Sequence, residues 1–254
     1  MSLQAILLCG HGSRKKEGVE ALVQLSEKMQ KRYDEIKVDY GFLELSSPTY
    51  YDTIRKLYDQ GIRDIVAIPV FLFTGIHLNY EIPGLMKQYQ NEMEGLKITL
   101  TSNIGINEEL IQLAEKRIIE AEYAKYRESL DHSNDILLTA AVGNSLPEAN
   151  AEVAKLTRLI WEKINFGFSQ YAFSSKLTFP SVAQTLQIIK NCSFGRIVVF
   201  PLLLFPSLHL DKIFMSVEEF RKENKKEVVF AEPFGVDEFL IDILVRRHKE
   251  VSGS

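Results

Sequence analysis

Apolar and polar positions alternate between two textures along this chain. Short runs dense in aliphatic residues, "QAILLCG" (4–10), "IKVDYGFLEL" (36–45), "DIVAIPVFLF" (64–73) and "KITLTS" (97–102), read as strands. Between them, "GVEALVQLSEKMQKRY" and "SPTYYDTIRKLYDQG" carry apolar residues at helical spacing. The second of these is expected to hold Pro48 in its first turn and Gly61 at its end. Near-continuous apolar strands alternating with helices predict an α/β fold, with a parallel sheet flanked by helices on both faces.

After the polar stretch "YAKYRESLDHSND" the pattern restarts with "ILLTAAVG", "QYAFSS", "RIVVFPLLLF" and "EVVFAEPFG". The segment "RDIVAIPVFLFTGIHL" (63–78) lies over "GRIVVFPLLLFPSLHL" (195–210). Pro48 and Pro180, Pro69 and Pro201, and His77 and His209 are each 132 residues apart. Shared anchors at one spacing imply an internal duplication. The expected organisation is two similar domains, residues 1–127 and 134–254, each a parallel sheet with helices.

Composition narrows the function classes. The 254 residues are 46% hydrophobic and 25% charged, as expected of a globular protein with ample core. A net charge of −4 argues against a nucleic-acid partner, and no apolar run reaches the roughly 20 residues a membrane helix needs. The start "MSLQAILLCGHGSR" lacks the basic region and cleavage site of a signal peptide, so cytoplasmic residence is expected. Cys9 and Cys192 form no C-x-x-C pair, and neither a disulfide framework nor a zinc knuckle is indicated.

Ligands of open parallel sheets bind beyond the carboxyl ends of the strands. His11 follows the first strand, Glu44 lies at the end of the second and His77 follows the third, so all three should reach one crevice. Taken singly, each has a plainer reading: a loop histidine, a strand-end charge, a helix cap. Together, two imidazoles and a carboxylate suit iron, cobalt or zinc and can also accept protons near neutral pH. Gly10 and Gly12 are expected to let a bulky ligand approach closely. Gly12, Ser13 and the following helix start offer N–H groups to an anion. Arg14, Lys15 and Lys16 form a basic cluster there, against the helix-dipole preference. "GHGSR" is not the G-x-S-x-G of a serine nucleophile, and neither phosphate-loop nor dinucleotide fingerprint is present.

The second copy departs at these positions. "AAVGNSLP" puts Val142 or Gly143 in the histidine's place, and the 132-residue spacing sets Lys176 opposite Glu44. Only His209 survives, so the second copy is expected to cover the first rather than to work itself. His132 and His248 have no evident partners and read as surface residues.

"GHGSR", "FLELSSPT", "IPVFLFTGIHLNYEIP" and the degenerate second copy together resemble the sirohydrochlorin chelatases, the class II chelatase family, in the two-repeat form of bacterial sirohydrochlorin ferrochelatases. The resemblance spans nearly the whole chain. It implies insertion of a divalent metal into sirohydrochlorin, with His11, Glu44 and His77 catalytic and His11 and His77 holding the metal. It also implies that Gly12, Ser13, Arg14, Lys15 and Gly75 contact the tetrapyrrole, whose apolar face lies on "FLFTGI" (71–76). Glu81-Ile82-Pro83 stands where the family often shows an aspartate, which keeps the carboxylate. No organic cofactor is implied; Fe2+, or Co2+, is a substrate. The chain lacks the histidine-rich tail and cysteine cluster of longer cobalt-inserting relatives, which favours iron and siroheme over cobalt and cobalamin. A non-catalytic tetrapyrrole or metal carrier is the alternative from another class. With both lobes supplied by the duplication, a monomer is compatible.

Overall fold

The computed structural model describes residues 4–127 and 131–252. In the first half, strands β1 (Gln4–Gly10), β2 (Lys37–Phe42), β3 (Asp64–Pro69) and β4 (Lys97–Leu100) alternate with helices α1 (Lys16–Gln30), α2 (Tyr50–Asp59), α3 (Ile82–Glu92) and α4 (Glu108–Tyr126). The second half repeats the order with β5 (Ile136–Ala141), α5 (Pro147–Ile164), β6 (Phe168–Phe173), α6 (Val182–Ile189), β7 (Ile197–Pro201), α7 (Leu208–Glu223), β8 (Val228–Phe230) and α8 (Glu238–Ser252). Each half forms one all-parallel sheet, β2-β1-β3-β4 and β6-β5-β7-β8. The α/β architecture and the duplication are therefore as the pattern predicts.

The central strands are predominantly apolar because both of their faces are buried. Ala5, Leu7 and Cys9 of β1 pack with Ile54 and Leu57 of α2 and Ile82 and Met86 of α3. Ile136, Leu138 and Ala140 of β5 pack with Leu186 of α6 and Ile213 and Val217 of α7. Thr49 starts α2 through a capping box with Asp52, so Pro48 lies outside the helix rather than in its first turn.

The two compact units do not follow the sequence halves. One contains residues 1–105 and 236–254, the other residues 106–235. Helix α4 packs on α5, β7 and β8, and Lys125 pairs with Glu227 at 2.7 Å. Helix α8 packs on α1 and β3, where Arg32 bonds Glu238 and Asp242, each at 3.0 Å. The helix that closes each sequence repeat thus belongs to the other repeat's sheet.

This exchange accounts for both histidines expected on the surface. His132 is buried, its Nε2 2.9 and 3.0 Å from the two carboxylate oxygens of the fully buried Glu122. His248 is buried between helices, with Nδ1 2.9 Å from the Tyr33 hydroxyl and Nε2 3.0 Å from the Ser252 hydroxyl and 3.3 Å from the Gln4 amide oxygen. Each meets a polar partner on another element, which lets an imidazole be buried at little cost.

Burial, with Lys249 nearby, lowers the pKa of His248 below the ordinary 6.5. The folded protein then binds fewer protons than the unfolded chain, so this contribution is complete above about pH 6.5 and declines as pH falls below it. The urea midpoint is expected to drop between pH 7 and about pH 5.5, and His248→Gln should make that drop smaller. A variant whose midpoint falls as steeply as the parent's contradicts the assignment.

Candidate functional site

In the order β2-β1-β3-β4, the connection after β1 runs to β2 on one side and that after β3 runs to β4 on the other, so the crevice opens at the carboxyl ends of β1 and β3. Two carbonyls at the end of β1 hold the neighbouring loop there. The Gly10 carbonyl accepts from Leu43 N–H at 2.9 Å and from the buried Tyr50 hydroxyl at 2.7 Å. One residue on, the His11 carbonyl accepts from Glu44 N–H at 3.0 Å, so backbone pairing itself brings His11 and Glu44 side by side. β2 ends at Phe42, earlier than its apolar run, because Leu45 turns with a φ of 62°. Glu44 is therefore a loop residue rather than a strand end.

His77 opens a π-helical turn, His77–Glu81, that leads into α3. Such turns are rare and often mark functional sites. The His77 and His11 ring centroids are 5.0 Å apart with planes at 85°, and Phe71 stands edge-on to His11 at 6.2 Å. Imidazole nitrogens bind such metals at about 2.0–2.1 Å, which sets two rings sharing one ion roughly 5 Å apart. Glu44 Oε1 lies 3.6 Å from His11 Nε2, and both side chains are partly open to solvent. Among the described residues no group of three or more His, Cys, Asp or Glu is placed to hold a metal ion. The arrangement is an open imidazole pair flanked by carboxylates, suited to transient rather than structural metal binding.

The sequence reading missed the role of Glu81. Its Oε2 lies 2.5 Å from His77 Nδ1, fixing the ring and leaving Nε2 to meet a metal. The signal was there as the i,i+4 spacing in "HLNYE". Glu81→Ala is expected to weaken divalent-metal binding by about 10- to 100-fold, with Glu81→Gln less affected, as measured by metal titration. Equal affinity in parent and Glu81→Ala would remove Glu81 from the site.

The glycine-rich loop differs from expectation in detail. A Cβ on Gly10 would stand 2.5 Å from Leu22 Cδ2, so this glycine serves packing against α1 rather than ligand approach. Gly12 has a φ of 103°, and a Cβ there would strike the Glu44 carbonyl oxygen at 1.8 Å. Its absence of side chain lets the His11 and Glu44 loops touch. The Ser13 N–H, expected to be open to an anion, donates to Ser46 Oγ at 3.0 Å, and Ser46 Oγ donates back to the Ser13 carbonyl at 3.1 Å. Ser13 Oγ accepts from Lys15 N–H at 3.0 Å. Arg14 is exposed beside this clasp, whereas Lys16 pairs with Glu20 at 3.0 Å. Gly75 is buried, and its carbonyl accepts from Asn79 N–H at 2.9 Å. Leu45, Ile76 and Tyr80 expose apolar surface on the loops carrying Glu44 and His77.

The second sheet fixes the alignment of the copies. Ser175 N–H donates to the Val142 carbonyl at 2.9 Å, as Glu44 N–H does to His11. Val142 thus replaces His11, and Ser175, not Lys176, replaces Glu44. Lys176 shifts out of register because the second loop holds one more residue before its proline, since Phe42 N–H bonds Pro48 O and Phe173 N–H bonds Pro180 O.

Fold and site together define a duplicated α/β protein with one open His–His–carboxylate cluster at a sheet edge. The chain belongs to the CbiX family, whose model matches residues 5–121 and 136–251. Among curated relatives, a sirohydrochlorin cobaltochelatase of Priestia megaterium is 25% identical over 98% of this chain and 80% of its own length. A sirohydrochlorin ferrochelatase of the same organism is 24% identical over 99% of this chain and 92% of its own length. The structure of SirB from Bacillus subtilis with Fe3+ superposes with a TM-score of 0.84 at 21% identity, covering 98% of this chain and 95% of that one. Among the described residues no helix is long and apolar enough to cross a membrane.

Proposed function

We propose that this protein is a sirohydrochlorin chelatase that inserts ferrous iron to give siroheme, with cobalt as the second metal it accepts. The observation that carries this reading is the His11–His77 pair, 5.0 Å apart at the β1–β3 crevice, with His77 oriented by Glu81. Insertion requires a metal to be stripped of water, held over the ring and released to four pyrrole nitrogens as two pyrrole protons depart. Two neutral imidazoles hold the ion firmly enough to desolvate it, yet lose it to a tetradentate macrocycle. Glu44, beside His11, takes one departing proton, and an imidazole freed of metal takes another.

The exposed apolar residues Leu45, Ile76 and Tyr80 offer a surface to the flat ring. Arg14, with Lys15, faces its peripheral carboxylates at the mouth of the Gly12–Ser13 loop. The two Priestia megaterium relatives, one named for each metal, are matched at nearly equal identity, in support of a site that takes both ions. Initial insertion rates with ferrous, cobaltous and nickel ions, followed by the absorbance of sirohydrochlorin, test both parts. Acceleration of none of the three rejects the chelatase reading; faster insertion of cobalt than of iron rejects the metal assignment.

A further inference from the structure

The second sheet keeps the counterpart of His77 at its carboxyl edge. Val142 stands where His11 does and Ser175 where Glu44 does, and the shared 132-residue spacing puts Ile213 in the place of Glu81. His209 alone remains, in the first turn of α7. Its ring is not adrift: Nδ1 lies 2.9 Å from Ser174 Oγ, which fixes the orientation and leaves Nε2 for a ligand. Burial, and secondarily Lys212, lower its pKa below the ordinary 6.5, so the imidazole stays neutral at neutral pH.

The two chain segments that carry this pair expose apolar side chains. The loop that supplies Ser174 continues into Leu177 and Phe179, 77% and 71% exposed, and Leu208 beside the histidine is 46% exposed. Side chains of this kind offer contact area to a flat apolar ligand. Lys176 and Lys212, both exposed, place positive charge on the same two segments. One imidazole cannot compete with water for a free ion. It is, however, the usual axial ligand for a metal already held by four ring nitrogens.

We propose that the carboxyl edge of the second sheet binds a metallated tetrapyrrole carboxylate. His209 Nε2 ligates the ring metal, Leu177, Phe179 and Leu208 lie on the ring face, and Lys176 and Lys212 meet the carboxylates. Binding replaces an axial water on the metal, and no covalent bond is made or broken. With Val142 and Ser175 in the places of His11 and Glu44, the site holds a finished ring without inserting metal. This inference deepens the reading of the first sheet as the insertion site and rests on it.

The probe is ferric uroporphyrin, an iron ring with eight carboxylates, added to the full chain and followed by absorption and electron paramagnetic resonance. The expected result is an imidazole-ligated iron spectrum that is lost in His209→Ala with an affinity decrease of about tenfold or more. Free imidazole should restore the spectrum in that variant, and His77→Ala should keep it. Phe179→Ala should weaken binding while preserving the ligand signature. The proposal is overturned if His209→Ala binds with parental affinity and spectrum, or if the signature disappears in His77→Ala instead. Because the probe already contains its metal, this outcome is independent of the insertion assay. A protein that binds the probe through His209 yet fails to accelerate insertion refutes the chelatase reading while leaving this site standing.

Discussion

His11→Ala and His77→Ala should each lower the rate of metal insertion into sirohydrochlorin by about 100-fold or more, in the range typical for loss of a positioned catalytic group. In the proposed mechanism the two rings act on one ion, so removing either leaves a single imidazole, the state in which the second sheet already stands with His209. Effects of groups that act as a unit are strongly non-additive, and the double variant should be only slightly slower than each single one. Neither substitution should threaten the fold, because both rings are partly exposed and neither belongs to the core cluster under the sheet. Glu44→Gln preserves the shape of the loop and isolates proton uptake from metal holding. Its insertion rate should fall while its metal affinity stays near the parent's. The measurements are initial rates from the ring absorbance and metal titrations on the same preparations. Single-histidine variants within about threefold of the parent rate would place the chemistry elsewhere.

Much of the fold and the location of the site were legible because buried parallel strands write themselves as unbroken apolar runs. β1, read as 4–10 from sequence, is Gln4–Gly10 in the structure. Strand ends were less legible where hydrogen bonds to distant loops decide them. The run 36–45 stays apolar past Phe42, yet the chain leaves the sheet to let Glu44 bond back to His11. The alignment of the copies failed locally for a similar reason. Pro48 and Pro180 are equivalent, but the extra residue lies between them and the strand ends, so a constant spacing mispairs Glu44 with Lys176. The buried histidines were out of reach altogether. His248 is 215 residues from Tyr33, and Glu122 reaches His132 only because α4 packs against the second sheet. No local pattern encodes which sheet a terminal helix will join, since both sheets offer equivalent apolar faces.

That helix exchange sets up the largest expected stability effect, at Arg196. The guanidinium bonds the Asp135 carboxylate through Nη2 and, at 3.2 Å, through Nε, and its Nη1 lies 3.8 Å from the fully buried Glu122. Asp135 is itself buried and accepts from the Arg196 main-chain N–H at 3.2 Å. One cation therefore compensates two buried carboxylates, one on α4 and one at the start of β5, with His132 as the remaining partner of Glu122. Arg196→Ala leaves the buried Asp135 carboxylate without its cation and Glu122 with His132 as its partner, and breaking such a buried network costs about 3–5 kcal/mol. Arg196→Lys should recover only part of this, because an ammonium is a point donor and cannot span both carboxylates as the planar fork does. Replacing the pair together, as Asp135→Asn with Arg196→Met, should be milder than Arg196→Ala, since it removes the stranded charge along with its partner. Urea midpoints of the four proteins give the ranking, and an Arg196→Ala midpoint equal to the parent's would show that the network carries no net stability. All these groups lie within residues 106–235, whereas His11, Glu44 and His77 belong to the other compact unit. The insertion rate per folded molecule should accordingly stay near the parent's in Arg196→Ala, separating a loss of stability from a loss of chemistry.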